Sequence, residues 1–263
     1  MRLSGKVVVI TGASMGIGEA VTREFLAHGA RVVMSSRDLE RVTAAWERVG
    51  APAQAHPIPC DVADRNQVRA LVETTIARFS RIDVWINNAG FGVLDSIAHT
   101  DLDRCRAMFE TNLFGAMACM QEVLPHMRTQ RSGAIINISS VAGHIAVPYM
   151  GAYCATKFAL NAVGRAARME LQGTGVNVIT VCPGRVHTNF NQNLLRGQEA
   201  RRVGEALNRG IGAERVARAV LRAYWGNRRE VVVPWSNRLF IELYKIAPGL
   251  VEFAMAKMMT RER

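Results

Sequence analysis

The chain has 263 residues, 49% hydrophobic and 21% charged, which suits one α/β domain with a sizeable core rather than two small ones. Its net charge of +11 comes largely from arginine and reads as a solvated surface ahead of attraction to anions; no helix-turn-helix, zinc-finger or RNA-binding motif is seen, so specific nucleic-acid binding is not expected. No uninterrupted apolar stretch is long enough to span a membrane, and no signal peptide is expected ahead of the first strand. The five cysteines are scattered without a C-x-x-C, so a cytoplasmic protein with reduced thiols and no metal is expected.

In chain order, Val7–Ile10 reads as a buried parallel strand. The turn Thr11-Gly12-Ala13-Ser14-Met15-Gly16-Ile17-Gly18 follows, and then a helical stretch, Glu19 to His28, that ends before Gly29. Further strands are expected at Arg31–Ser35, Ala53–Pro57, Val84–Asn87, Ala134–Ser139, Asn177–Val181 and Glu230–Val233. Amphipathic helices are expected at Asp64–Phe79, Leu102–Arg128, Ala152–Gln172 and Ala213–Trp225, with a bend or early end at Pro125. Trp235 to Arg263 forms two apolar helical stretches split by Pro248-Gly249. The alternation implies a doubly wound, Rossmann-like parallel sheet with helices on both faces. Residues 1–234 read as one α/β domain and 235–263 as its helical extension.

In open parallel sheets, ligands bind at the carboxyl ends of the strands. Thr11–Gly18, Asp61-Val62, Asn87-Asn88-Ala89-Gly90, Ser139-Ser140 and Cys182-Pro183-Gly184 all fall at such ends. Strand, glycine turn and helix is the context of a pyrophosphate site, where glycine admits close backbone approach and the helix N-terminus offers free N–H groups. The glycine spacing is G-x-x-x-G-x-G. Tyr153 and Lys157, four apart, share one face of a helix. A fixed cation beside a phenol favours phenolate and makes tyrosine a usable acid–base group.

These motifs, in this order, resemble the short-chain dehydrogenase/reductases in their compact single-domain subclass. The resemblance also takes in Asn112 within Asn112-Leu113-Phe114-Gly115, and Thr188 after Pro183-Gly184. It implies that Tyr153 exchanges the substrate proton and that Lys157 lowers the phenol pKa and holds the nicotinamide ribose. It further implies that Ser140, rather than Ser139, hydrogen-bonds the reacting oxygen, and that Asn112 holds a relay water. By the same resemblance Gly12, Ser14, Gly16, Ile17 and Gly18 hold the pyrophosphate, and Asp61-Val62 meet the adenine. Asn88-Ala89-Gly90 line the floor, and Pro183, Gly184, Val186 and Thr188 approach the carboxamide. It also implies a homodimer or homotetramer built on Leu102–Arg128 and Ala152–Gln172.

NAD-binding members carry an acid at the end of the second strand, where this chain has Ser36 followed by Arg37 and Asp38. Arginine grips a phosphate with several donors, so NADP(H) is expected ahead of NAD(H), with Arg37 carrying the preference. A register shift of two would instead give Asp38 the NAD role. By the same resemblance residues 1–234 form the dinucleotide-binding and catalytic domain, with a substrate lid at about 185–210; its Phe190, Leu194 and Leu195, expected to face Phe91, Ile145, Val147 and Tyr149, suit a hydrophobic ketone, aldehyde or secondary alcohol. The apolar tail, with basic Lys257, Arg261 and Arg263, reads as packing on the domain or across a subunit interface, ahead of peripheral membrane contact. An alternative function is a cofactor-binding regulatory or scaffolding protein at membranes.

Overall fold

The structure, a computed structural model, describes residues 3–188, 194–197 and 210–260. In chain order the elements are β1 (Val7–Thr11), α1 (Gly16–Ala27), β2 (Arg31–Ser36), α2 (Leu39–Arg48), β3 (Ala55–Pro59), α3 (Arg65–Phe79), β4 (Val84–Asn87) and β5 (Val93–Leu94). Next come α4 (Leu102–Phe109), α5 (Gly115–Gln130), β6 (Gly133–Ile138), α6 (Gly151–Glu170), β7 (Val176–Pro183), β8 (Val186–His187) and β9 (Leu195–Arg196). The chain then continues through β10 (Ile211–Gly212), α7 (Ala213–Trp225), β11 (Glu230–Val233), α8 (Ser236–Ile246) and α9 (Pro248–Thr260).

Seven strands form one sheet in the order β11-β7-β6-β4-β1-β2-β3, every pair parallel. The expected Rossmann-like doubly wound sheet is present. Alternation along the strands divides the core. Val8, Ile10, Val32, Met34, Val84 and Ile86 face one layer with Phe25 of α1 and Val216 and Val220 of α7. Val9, Val33, Trp85, Ile135 and Val178 face the other, with Leu71 of α3 and Val123 and Met127 of α5. That is the period-two pattern of strands buried on both faces.

Three expectations need correction. The third strand lies two residues later than read, at Ala55–Pro59, which puts Cys60-Asp61 at its carboxyl end. The helix α2 was not anticipated, although Val42, Ala45, Trp46 and Val49 recur at helical spacing and pack on the core. Pro125 neither ends nor bounds its helix, since α5 runs on to Gln130. The irregularity lies upstream, where Glu110–Phe114 forms a π-turn between α4 and α5 and Gly115 N–H bonds to the Glu110 carbonyl. Such turns are characteristic of functional sites, and this one contains Asn112.

Asp83, 4% exposed, ties β1 to the start of β4. Its carboxylate accepts from Val7 N (2.9 Å), Lys6 Nζ (2.9 Å) and Arg81 Nε (2.9 Å). Burial alone would raise its pKa, but these donors hold it below the ordinary 3.8. A depressed carboxylate contributes stability above its unfolded pKa and loses it as pH falls through the folded value. Asp83→Asn is therefore expected to cost about 2–3 kcal/mol at pH 7 in urea unfolding. The gap to the wild type should close as pH falls below about 4; a gap that persists at pH 3 would refute the charge as its cause.

Candidate active site

The glycine turn joins β1 to α1. Gly12 and Gly16 have φ of +65° and +58°, a conformation that favours glycine. A Cβ on Gly12 would lie 2.8 Å from Ala89 Cα, and one on Gly18 would strike the Gly12 carbonyl oxygen and sit 2.6 Å from Asn88 Nδ2. The turn is thus pressed against the end of β4 with no room for side chains. Asn88 holds the contact, donating from Nδ2 to the Thr11 carbonyl (3.0 Å) and the Gly12 carbonyl (2.9 Å). Thr11 Oγ1 accepts from Asn88 N (3.1 Å) and Ala89 N (3.2 Å). Met15, at the N-cap of α1, supplies no side-chain cap. A cradle of glycines at an uncapped helix N-terminus fits a dinucleotide pyrophosphate.

The other strand ends converge on this turn. A Cβ on Gly16 would lie 3.2 Å from Thr188 Cβ, so the segment after Pro183-Gly184 closes over it. Val186, in β8, pairs with Ile211 of β10. A Cβ on Gly90 would lie 2.9 Å from Asn112 Oδ1 and 3.9 Å from Lys157 Nζ. Asp61, after β3, folds its carboxylate back to accept from Ala63 N (3.0 Å). Buried Val62 packs on α5, where a Cβ on Gly115 would lie 2.8 Å from its carbonyl oxygen.

Tyr153 and Lys157 are buried on one face of α6. Lys157 Nζ donates to the Ile138 carbonyl at the end of β6 (3.0 Å) and lies 5.7 Å from the Tyr153 ring centroid. Ser140 follows β6. Its Oγ accepts from Ala142 N (3.1 Å), donates to the Pro183 carbonyl (3.4 Å) and shares a hydrogen bond with Tyr153. Ser139 is turned away: its Oγ donates to the Lys157 carbonyl (3.4 Å) and bonds Cys182. Asn112 reaches from the π-turn. Its Nδ2 donates to the Phe91 carbonyl (2.9 Å) and Thr156 Oγ1 (3.2 Å), and its Oδ1 accepts from Phe91 N (3.0 Å). The side chain expected to hold a water is largely committed to protein.

The electrostatics differ from the expectation that Lys157 lowers the phenol pKa. Burial pushes the Tyr153 phenol well above its ordinary value, and only the Ser140 hydrogen bond opposes the shift. Burial likewise lowers Lys157 from 10.5 to about 8. Removal from water is the largest cause of both shifts. Among the cofactor positions, Arg37 is exposed and has no ion-pair partner among the described residues. Asp38 caps α2 by accepting from Arg41 N (3.2 Å).

On the expected substrate wall, Phe91 and Val147 pack on the cluster containing Tyr153, while Ile145 turns toward Ile241 of α8. Tyr149 has φ +63°, and its carbonyl accepts from Asp95 N (2.9 Å). From the lid, Leu194 is buried and Leu195 exposed, β9 pairing with β5; Phe190 lies outside the described residues.

Sequence reasoning missed three features. Thr11 was placed in the turn without its role as acceptor for β4. Arg48 of α2 donates to the Ser14 carbonyl (2.8 Å) and pairs with Glu19 (2.7 Å) beside the glycine turn, and no signal links positions 34 apart. The dispersed histidines and cysteines showed no metal-ligand spacing, yet His144, Cys182 and Glu230 come together in the fold.

A lysine with a lowered pKa costs stability while protonated. The cost is present below pH 8 and fades between 8 and 10.5. Lys157→Met, which also gives up the Ile138 hydrogen bond, is expected to gain about 2 kcal/mol at pH 7 in urea unfolding. The gain should shrink by pH 9.5. A variant less stable than wild type at pH 7 would contradict a desolvated ammonium here.

The chain resembles known proteins along its whole length. Residues 6–199 match the short chain dehydrogenase family. The ketoacyl reductase HetN of a Nostoc species is 37% identical over 259 residues, 95% of this chain and 88% of its own. Dehydrogenase/reductase SDR family member 7B of Bos taurus is 33% identical, covering 98% of this chain and 82% of its own. A short chain dehydrogenase/reductase from Burkholderia phymatum, solved in complex with NAD, superposes with a TM-score of 0.88 at 25% identity, over 95% of this chain and 96% of its own. The chain belongs to the short-chain dehydrogenase/reductase family, whose members are nicotinamide-dependent oxidoreductases.

Proposed function

We propose that the protein is an NADP(H)-dependent oxidoreductase acting on a hydrophobic carbonyl or the matching secondary alcohol. The observation that carries this reading is the conjunction of Tyr153, Ser140 and Lys157 at the strand ends that also bear the glycine cradle. When bound, the nicotinamide supplies or accepts the hydride. The pyrophosphate falls to Gly12, Ser14, Gly16, Ile17 and Gly18. The adenine falls to Asp61 and Val62, the floor to Asn88, Ala89 and Gly90, and the carboxamide side to Pro183, Gly184, Val186 and Thr188.

The chain's own groups perform the proton chemistry. In reduction the Tyr153 hydroxyl gives its proton to the carbonyl oxygen, and in oxidation the phenolate takes it back. Burial holds the phenol protonated at neutral pH, which suits it as the acid of a reduction. Ser140 Oγ donates to the oxygen as charge develops there. Lys157, mostly protonated at pH 7, is the cation nearest that charge and the donor for the ribose hydroxyls. Asn112 is a positioning residue, fixing Phe91 beside Thr156 and thus the wall next to Tyr153.

The NADP preference rests on the end of β2. Ser36 stands where an acid would accept the ribose hydroxyls of NAD, Arg37 is free to meet a phosphate, and Asp38 is occupied as a helix cap. The exposed Phe114 and Phe158, on the helical segments expected to pair subunits, support a homo-oligomer.

The test is NADPH against NADH oxidation with hydrophobic ketones, aldehydes and a ketoacyl substrate. NADPH-preferring turnover is expected. Tyr153→Phe should reduce it by about 10²-fold or more, and Arg37→Ala should raise KM for NADPH while leaving that for NADH unchanged. Equal KM changes for both cofactors would end the Arg37 argument. Absence of binding by either cofactor would end the enzyme reading.

One observation favours the second reading, a membrane-associated scaffold. Trp235, Leu239, Leu243, Ile246, Leu250 and Phe253 are exposed along α8 and α9, although no helix among the described residues is long and apolar enough to cross a membrane. With the enzyme reading, negligible flotation with anionic liposomes is expected. Flotation abolished by Ile246→Asp with Leu250→Asp would establish membrane attachment instead.

A further inference from the structure

We propose that His144 Nε2, Cys182 Sγ and Glu230 Oε1 form a site for a zinc-class divalent transition-metal ion, separate from the nicotinamide crevice. His144 follows the short 3₁₀ turn Val141–Gly143, Cys182 is the penultimate residue of β7, and Glu230 opens the adjacent edge strand β11. No two of the three share an element.

The distances are those of co-ligands. His144 Nε2 lies 3.5 Å from Cys182 Sγ and 3.4 Å from a Glu230 carboxylate oxygen, and all three donor atoms fall within 4.8 Å of one another. Tetrahedral zinc with ordinary Zn–N, Zn–S and Zn–O lengths sets neighbouring donors about 3.4–3.6 Å apart. As a hydrogen bond the His144–Glu230 contact is long, whereas 3.5 Å is ordinary for a contact to sulfur. They also compete: Asn161 Nδ2 lies 3.4 Å from the same imidazole nitrogen, which carries either one proton or one lone pair and cannot serve all three neighbours.

The surroundings supply the rest of a site. His144 is 7% exposed at its side chain and Cys182 wholly buried, so two ligands are fixed by packing. Arg165 occupies the other carboxylate oxygen of Glu230 (2.9 Å) and orients it, a role outer partners commonly play for metal ligands. His144 and Glu230 line a cavity of about 730 Å³ that also meets Arg229, Arg238 and Lys245. That cavity gives the ion an entry path and a fourth position for water or a small anion.

Burial pushes the Cys182 thiol up to about 12, so loss of its proton is a cost that the metal must meet. Metal binding breaks its S–H bond, forms the S–metal bond and releases the proton to solvent. Thiolate and carboxylate together then balance a divalent charge, and the thiolate–imidazole pair selects zinc or cobalt over magnesium or calcium.

The test is a Co²⁺ titration of the full, untagged chain after chelator treatment, with neither cofactor nor substrate present. One equivalent is expected to produce four-coordinate visible bands and a thiolate charge-transfer band, both displaced by Zn²⁺. Cys182→Ser should lose the charge-transfer band, and Glu230→Gln, at a partly exposed position, should weaken cobalt binding by roughly tenfold or more. No charge-transfer band, a band that survives Cys182→Ser, or unchanged affinity in Glu230→Gln overturns the site.

Discussion

The site depends on a backbone contact: the turn after β1 lies directly against the end of β4. Parallel pairing of these strands brings their carboxyl ends side by side. The chain then has two groups of unpaired peptide atoms in one place, and Asn88 satisfies both by donating to Thr11 and Gly12 while Thr11 returns the bond. Glycine at positions 12 and 18 follows from this clasp, because any Cβ would enter it. With the clasp closed, Gly90 lands against Asn112 and Lys157, and α6 is fixed relative to the turn. Glycine turn and Tyr153/Lys157 face are thus one packed unit.

Within that unit, desolvation governs the charges. Tyr153 and Lys157 lie on one buried face, and each is pushed toward its neutral form. Proximity alone does not make a phenolate here, because the cation that would stabilise it is itself poorly solvated and spends a hydrogen bond on Ile138. The π-turn has a related cost: it gives up regular helical bonding so that Asn112 can reach back to Phe91. Both features trade stability for a placed polar group, as functional sites commonly do.

What was legible in the sequence follows from range. Strands such as Val7–Thr11 and Val84–Asn87 announce themselves because both faces are buried and the run is apolar throughout. The glycine turn, Ser140 and the Tyr153/Lys157 pair are local patterns whose spacing is preserved in the fold. The apolar face of α2, at Val42, Ala45, Trp46 and Val49, carried a helical signal that was passed over, whereas the π-turn was hidden by the unbroken helical pattern on either side. Which way the loop residue Ile145 turns carries no local signal; it packs with Ile241, almost a hundred positions away. The same limit hid Arg48 against Ser14.

The edge of the sheet shows the consequence most plainly. The strand β11 pairs with β7 so that Glu230 lies opposite Thr180 and Val232 opposite Cys182. That register brings an acid from one strand, a thiol from the next and an imidazole from a turn to one point, although none lies near another in the chain. Cys182 is bonded to Ser139, whose neighbour Ser140 faces Tyr153, and it immediately precedes Pro183, whose carbonyl accepts from Ser140. The two sites therefore share the carboxyl ends of β6 and β7 and are held by the same backbone. A proton leaving Cys182 would place a negative charge beside Lys157, whose own charge already acts on that thiol. By electrostatic symmetry, what stabilises the Cys182 thiolate also stabilises the Lys157 ammonium, a smaller influence on that lysine than its burial.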